Sequence, residues 1–156
     1  MLNLFKKTII ADTPIKTVEL NSAQLKAVFQ NALKSNGYGS SNPKFLQCSN
    51  NIRIEGKNNP DLGMWEVKQI YIDKSPILDE NAEPLSLNKK YKCAIDSYIA
   101  EGGQGFKILL EAKKSDVTKN GKTVKINEVL MNGLKQAIYK YQKGSDYPKF
   151  DLVDIQ

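Results

Sequence analysis

The sequence predicts an α+β fold with mixed strands and two main helices, built as a single domain over residues 1–156. Short segments in which every second residue is apolar predict the strands. Two longer segments, which begin near residues 22 and 127, carry apolar residues at the three- and four-residue spacing of a helix. With 156 residues and 40% hydrophobic content, the chain is large enough to bury one core.

The first two elements are a strand and a helix. Residues 15–20 alternate as a strand does, and Asn21 with Gln24 has the spacing of a capping box, which predicts that a helix begins there. The apolar stripe of this helix faces the core and ends near residues 36–37. The stripe consists of Leu25, Val28, Phe29, Ala32 and Leu33.

The middle of the chain has the turn residues and short apolar runs of hairpins. A loop is predicted at 37–43, followed by strands at 45–48 and 52–55 and a turn at 58–60. A longer strand over 65–72 changes the phase of its apolar residues, which predicts a bulge.

The second half begins with residues 73–88, which we predict to be a surface connection, and a strand over 91–95 follows it. Periodicity does not decide between helix and strand for residues 106–110. Asn120-Gly121 predicts a tight hairpin. A final helix from about Asn127 carries one apolar face, formed by Leu130, Leu134, Ile138 and Tyr141.

The composition excludes several kinds of catalytic site. The chain contains no histidine, so Ser-His-Asp and Cys-His mechanisms and histidine metal sites are excluded. Cys48 and Cys93 are too far apart for a redox pair and too few for a zinc cluster. Their apolar neighbours predict buried free thiols, with a disulfide or a reactive nucleophile as alternatives.

The charge is spread thinly. The net charge of +6 comes mostly from lysines distributed along the chain, and Arg53 is the only arginine. Arginine forks that read bases are therefore nearly absent, and no sequence-specific nucleic-acid binding is expected. A lysine-rich, nonspecific nucleic-acid binder is one alternative function. No apolar run is long enough to span a membrane.

Two glycine-containing segments resemble phosphate-binding motifs but do not match them. The Gly-Lys-Thr at 121–123 has Asp116 where a phosphate loop needs glycine, so a hairpin turn is the preferred interpretation. The segment 102–105 lacks the dinucleotide spacing G-x-G-x-x-G. It indicates a sharp bend or a close approach of the backbone.

The segment Asp96-Ser97-Tyr98-Ile99-Ala100-Glu101-Gly102-Gly103-Gln104-Gly105-Phe106 resembles a signature of one family. The family is that of the 5'-nucleotidases, UDP-sugar hydrolases and 2',3'-cyclic phosphodiesterases, and the signature lies in its C-terminal, substrate-recognition domain. Four further segments, 17–26, 45–49, 67–73 and 87–91, are similar to that domain in the same order.

The resemblance implies an α+β fold of the 5'-nucleotidase C-terminal type and a nucleotide or nucleoside as partner. It implies that Tyr98 is the second of two base-stacking aromatics, and that Gly102, Gly103 and Gln104 complete the substrate site, with Gln104 replacing an aspartate. The first aromatic corresponds to Ile10-Ala11, which offers no ring, and the arginine segment would precede residue 1. Nucleotide binding would then be weak or lost.

The resemblance also implies a partner domain. Family members hydrolyse their substrates with divalent metals in an N-terminal metallophosphatase domain, so the chain would hold no cofactor, would be inactive alone and would lack that domain and the start of its own. Location in the periplasm or outside the cell is implied as well. One alternative is a stand-alone binding or interaction module that kept the fold but lost nucleotide recognition. The alternative role for Tyr98 is that of a partly buried structural tyrosine.

Overall fold

The computed structural model describes residues 12–33, 46–61 and 63–142. Within them the chain forms two three-stranded sheets, one small hairpin and helices of different lengths, which confirms the predicted α+β class. The strands are β1 (Ile15–Leu20), β2 (Ile52–Asn59), β3 (Met64–Ile72), β4 (Ser75–Pro76), β5 (Tyr91–Asp96), β6 (Lys113–Asp116), β7 (Thr118–Lys119) and β8 (Lys122–Thr123). The helices are α1 (Ser22–Leu33), α2 (Ser97–Ala100) and α3 (Ile126–Gln142), with 3-10 turns at Gly103–Gly105 and Lys107–Glu111.

The first sheet has the order β5-β1-β6, with β1 antiparallel to both neighbours. Val18 pairs with Cys93 on one side and with Lys114 on the other. Because side chains alternate along a strand, Val18 and Leu20 both point into the core and are fully buried. The strand predicted at 15–20 is confirmed, as is the strand predicted at 91–95.

Helix α1 begins with the predicted capping box. The backbone N–H of Gln24 donates to Asn21 Oδ1 at 2.8 Å, and the backbone N–H of Asn21 donates to Gln24 Oε1 at 3.0 Å. Two N–H groups at the start of the helix are thereby satisfied, and the apolar stripe then faces the core. Leu25, Val28, Phe29 and Ala32 are buried in it. The predicted helix end at 36–37 lies outside the described residues.

The second sheet has the order β2-β3-β4 and contains the predicted bulge. Glu55 pairs with Gln69 and Gly56 with Val67, so Lys68 is the extra residue of β3. The bulge lets Val67 and Ile70, three positions apart, both face the core. Gln30 of α1 satisfies the backbone beside it, since its side chain accepts from the Val67 amide at 2.9 Å and donates to the Trp65 carbonyl at 2.8 Å.

Two predictions in the middle of the chain were wrong. Leu46 to Cys48 form no strand, and the loop predicted at 37–43 and Phe45 lie outside the described residues. The connection at 73–88 is not confined to the surface, because Ile77, Leu78 and Ala82 are buried in the core. The Gln69 side chain holds it there, donating to the Leu78 carbonyl at 2.9 Å and accepting from the Leu78 amide at 3.1 Å.

The prediction for the cysteines was half right. Both are free thiols, but Cys48 is exposed and Cys93 is only half-buried, packed against the core from β5. Cys48 lies in a segment that forms no strand, and Gln47 and Ser49 on either side of it are exposed as well.

The last third of the chain resolves the alternatives left by periodicity. Residues 107–111 form a 3-10 turn, in which Leu109 is buried next to the buried Phe106. Asn120 and Gly121 both have left-handed backbones and join β7 to β8, which confirms the hairpin. Helix α3 begins one residue earlier than predicted, and Leu130 on its apolar face is 46% exposed. The predicted side chains of Leu134, Ile138 and Tyr141 are not among those that the structure describes.

Among the described residues, every helix is too short or too polar to cross a lipid bilayer.

Candidate ligand-binding site at the glycine loop

Tyr98 is placed by a cap at the end of β5. Asp96 ends the strand, and its Oδ1 accepts hydrogen bonds from the amides of Tyr98 at 2.7 Å and Ile99 at 3.2 Å. Its second carboxylate oxygen accepts a hydrogen bond from the Thr13 hydroxyl. An aspartate in this position satisfies N–H groups that a short helix leaves unpaired. The backbone of Tyr98 is therefore fixed from both the strand and the helix.

The Tyr98 ring lies against Gly103. A Cβ atom at Gly103 would stand 2.6 Å from ring carbon Cε1 and 2.5 Å from the Tyr98 carbonyl oxygen. Only glycine allows this approach without displacing the backbone or the ring. The tyrosine nevertheless remains 57% exposed, so most of it is available for contact with another molecule.

The rest of the loop needs left-handed backbone conformations. Gly102 has φ 82° and Gly105 has φ 84°, both in the region that glycine adopts freely. Gln104 between them also has a positive φ of 52°, and its side chain is exposed. A neutral amide both donates and accepts hydrogen bonds, so Gln104 can contact hydroxyl or carbonyl groups of a ligand.

Buried residues and a charged cluster support the loop from below. Ala100 and Phe106 flank the loop and are fully buried. Glu101, which precedes Gly102, contacts Lys16 Nζ of β1 at 2.8 Å and Lys114 Nζ of β6 at 3.7 Å. Lys16 also lies 3.8 Å from Asp116.

The ion pairs shift two pKa values. The pKa of Glu101 is lowered, first by the hydrogen bond from Lys16 and then by the charge of Lys114. The pKa of Lys16 is raised, mainly by the same hydrogen bond. Both groups are therefore charged at neutral pH, as the ion pair between them requires.

All four residues predicted from the sequence lie together in this loop: Tyr98, Gly102, Gly103 and Gln104. Ile10-Ala11, the predicted counterpart of the first aromatic, lies outside the described residues. Sequence reasoning missed Asp96, although an Asp directly before a helix start is a recognisable cap signal. It also missed the contacts of Glu101, because they depend on the register of β1 and β6 and leave no local pattern.

In the described ranges, no three His, Cys, Asp or Glu side chains converge in a way that could hold a metal ion. These residues therefore do not fit a two-metal centre.

The fold and the glycine loop together define an α+β domain of the nucleotidase C-terminal type. Residues 3–111 match the family described as 5'-nucleotidase, C-terminal domain, and the chain belongs to that family. The family match ends at residue 111, so β6, the β7–β8 hairpin and α3 follow it.

Two known proteins show the same relationship. A 5'-nucleotidase of Diplobatis ommata is 32% identical over 97 residues, which are 61% of this chain and 16% of that protein. The crystal structure of a 5'-nucleotidase precursor from Thermus thermophilus aligns with a TM-score of 0.56 and 21% identity, over 80% of this chain and 22% of that one. The latter likeness shows the fold. The chain spans about a sixth of the length of the first protein and about a fifth of the second.

Proposed function

We propose that this chain is the nucleotide-recognition domain of a 5'-nucleotidase-type phosphohydrolase and is not catalytic alone. The proposal rests on the position of the Tyr98 ring in this member of the family. The ring packs against Gly103, and Tyr98 is still 57% exposed. An exposed ring with a fixed backbone suits base stacking, because every nucleobase has a π-face and little side-chain freedom is lost on binding.

The proposed ligand is a nucleoside or nucleotide. The Tyr98 ring stacks on the base, and Gln104 offers its amide to the polar groups of the ligand. Stacking contributes about 1–3 kcal/mol per base. One stacked face hardly offsets the freedom that a ligand loses on binding, so we expect dissociation constants in the millimolar range.

The proposal assigns the chemistry to a second domain. The partner is the N-terminal metallophosphatase domain of the family, which holds the divalent metals, and this chain presents the nucleotide to it. Export to the periplasm or cell surface belongs to the same proposal and is supported by the name of the Thermus relative, a precursor.

Titration of adenosine and uridine, followed by NMR shift changes, tests the binding step. Shifts should be centred on Tyr98 and residues 102–105. Tyr98→Ala should lose roughly 1–3 kcal/mol of binding, while Tyr98→Phe should keep most of it because the ring face provides the attraction. Trp65, which is 49% exposed on the second sheet, provides the matched control.

Trp65→Ala should leave the affinity unchanged, since this exposed aromatic lies outside the loop. Equal losses for Trp65→Ala and Tyr98→Ala would indicate nonspecific stacking. No shifts near Tyr98 at high ligand concentration would contradict the proposal and favour a module that kept the fold without the ligand.

A further inference from the structure

Glu101 joins the glycine loop to two different strands of the first sheet. Its Oε1 lies 2.8 Å from Lys16 Nζ of β1, and its Oε2 lies 3.7 Å from Lys114 Nζ of β6. The carboxylate is therefore shared between the central strand and an edge strand. Gly102, the first residue of the loop, follows Glu101 directly.

Lys114 also reaches the far end of the loop region. Its Nζ donates a hydrogen bond to the Leu110 carbonyl at 3.1 Å, and its side chain is only 18% exposed. Leu110 in turn packs on Gly102, where an added Cβ would stand 3.1 Å from Leu110 Cγ. Lys114 thus contacts both Glu101, which precedes the loop, and Leu110, which packs on Gly102.

Contacts from outside the loop matter because three of the four residues at 102–105 are glycines, which restrict the backbone little. Gly102, Gly103 and Gly105 give its backbone more conformational freedom than other residues would. Backbone hydrogen bonds, from the Gly102 amide to the Ile99 carbonyl and from the Phe106 amide to the Gly103 carbonyl, fix its ends at 2.9 and 3.1 Å. The cluster of charges adds a connection to the sheet that these bonds do not provide.

We propose that Glu101 is a positioning residue, which through Lys16 and Lys114 holds the glycine loop on β1 and β6 in the conformation that exposes the Tyr98 ring to ligand. Its effect on ligand affinity rests on the proposed function, whereas its effect on the loop does not. Glu101 need not touch the ligand to act.

Glu101→Gln removes the charge at nearly unchanged volume and is the main variant. Glu19→Gln is the matched control, because Glu19 pairs with Lys113 at 3.6 Å on the same two strands, away from the loop. For both variants we would measure hydrogen exchange of the amides of residues 102–106, the melting temperature and the affinity for adenosine.

Glu101→Gln should speed amide exchange in the loop and weaken adenosine binding, each by up to about fivefold, as expected for an exposed ion-pair network. Glu19→Gln should change neither by more than the error, and the melting temperature shows whether each variant is folded. Lys114→Met added to Glu101→Gln should cost less than the sum of the two single changes, because either change alone already removes the contact between Glu101 and Lys114.

Unchanged loop exchange in Glu101→Gln, or an equal effect of Glu19→Gln, would overturn the proposal. A wild type that binds no adenosine would contradict the proposed function instead, and amide exchange would still decide whether Glu101 holds the loop. If Glu101→Gln were poorly folded, Lys114→Gln would provide the same comparison from the other side of the ion pair.

Discussion

The Gly103 backbone lies so close to the Tyr98 ring that a side chain at position 103 would have to displace the ring or the backbone. An added Cβ would stand 2.6 Å from ring carbon Cε1 and 2.5 Å from the Tyr98 carbonyl oxygen, which belongs to the backbone and cannot swing away. The Tyr98 ring can therefore lie where it does only because position 103 carries no side chain.

Gly103→Ala should lower the free energy of unfolding by about 1–3 kcal/mol, the usual range for overpacking, and should displace Tyr98. Gly63→Ala is the control, because Gly63 has a left-handed φ of 60° but nothing within 4 Å of the added Cβ. Its cost is that of the backbone conformation, about 1 kcal/mol. Urea unfolding measures both, and only Gly103→Ala should shift the NMR signals of the Tyr98 ring.

The cap at Asp96 leads to a second prediction. Asp96→Ala removes the acceptor for the amides of Tyr98 and Ile99 and should destabilise the protein by about 1–2 kcal/mol. Asp96→Asn keeps a side-chain oxygen and should lose much less. Thermal unfolding separates the two variants, and equal losses would show that the charge, not the cap, matters at this position.

Several local patterns in the sequence were sufficient to predict the structure, although the apolar run at 45–48 was not. The capping box of Asn21 and Gln24, the bulge at Lys68 and the hairpin at Asn120 each depend on neighbouring residues, and each was predicted. The four residues of the candidate site could likewise be named from the sequence, because they lie in one continuous segment around Tyr98.

Long-range packing set the limits of prediction. The connection after β3 looked like a surface loop, but Gln69 binds it to the sheet and buries Leu78. The contact between Glu101 and Lys114 depends on the register of β6 against β1. Neither is visible in the spacing of residues along the chain.

The two thiols should react at different rates. Burial raises the pKa values of both thiols; for Cys48 it is partial burial of the sulfur, since the residue as a whole is exposed. The charge of Cys48 raises the pKa of Cys93 further. Few thiolates are therefore present near neutral pH, so both should react more slowly than a free cysteine. Cys48 is exposed and should be labelled first, with Cys93 following.

Labelling with a maleimide, with the sites assigned by mass spectrometry, measures this order. In denaturant both thiols should react rapidly and at similar rates, which serves as the control. Faster labelling of Cys93 than of Cys48 in the native protein would contradict the described positions.

The chain alone should hydrolyse no nucleotide, cyclic nucleotide or nucleotide sugar when Mn²⁺, Zn²⁺ or Co²⁺ is added. The described residues offer no group of three metal ligands, and no histidine is present in the sequence. Phosphate release from adenosine monophosphate measures this, with a complete 5'-nucleotidase as the positive control. Turnover that persists through repurification and increases with the metal would contradict the proposed division of labour.

The charged cluster below the loop should make loop stability depend on pH at the acidic end. The pKa of Glu101 is lowered in the folded protein by the hydrogen bond from Lys16 and by the charge of Lys114. The groups that face it are these two lysines, and Asp116 faces Lys16 from β6. A carboxyl group with a lowered folded pKa stabilises the protein above its unfolded pKa, about 4.3 for glutamate.

That stabilisation should therefore be complete at neutral pH and be lost as the pH falls below about 4.3 and through the lower pKa of folded Glu101. Amide exchange of residues 102–106 is best compared between wild type and Glu101→Gln at several pH values, after correction for intrinsic exchange rates. The two proteins should differ at neutral pH and converge in acid, because protonated glutamate and glutamine are then both neutral. A difference that stays constant down to acidic pH would show that the charge of Glu101 does not hold the loop.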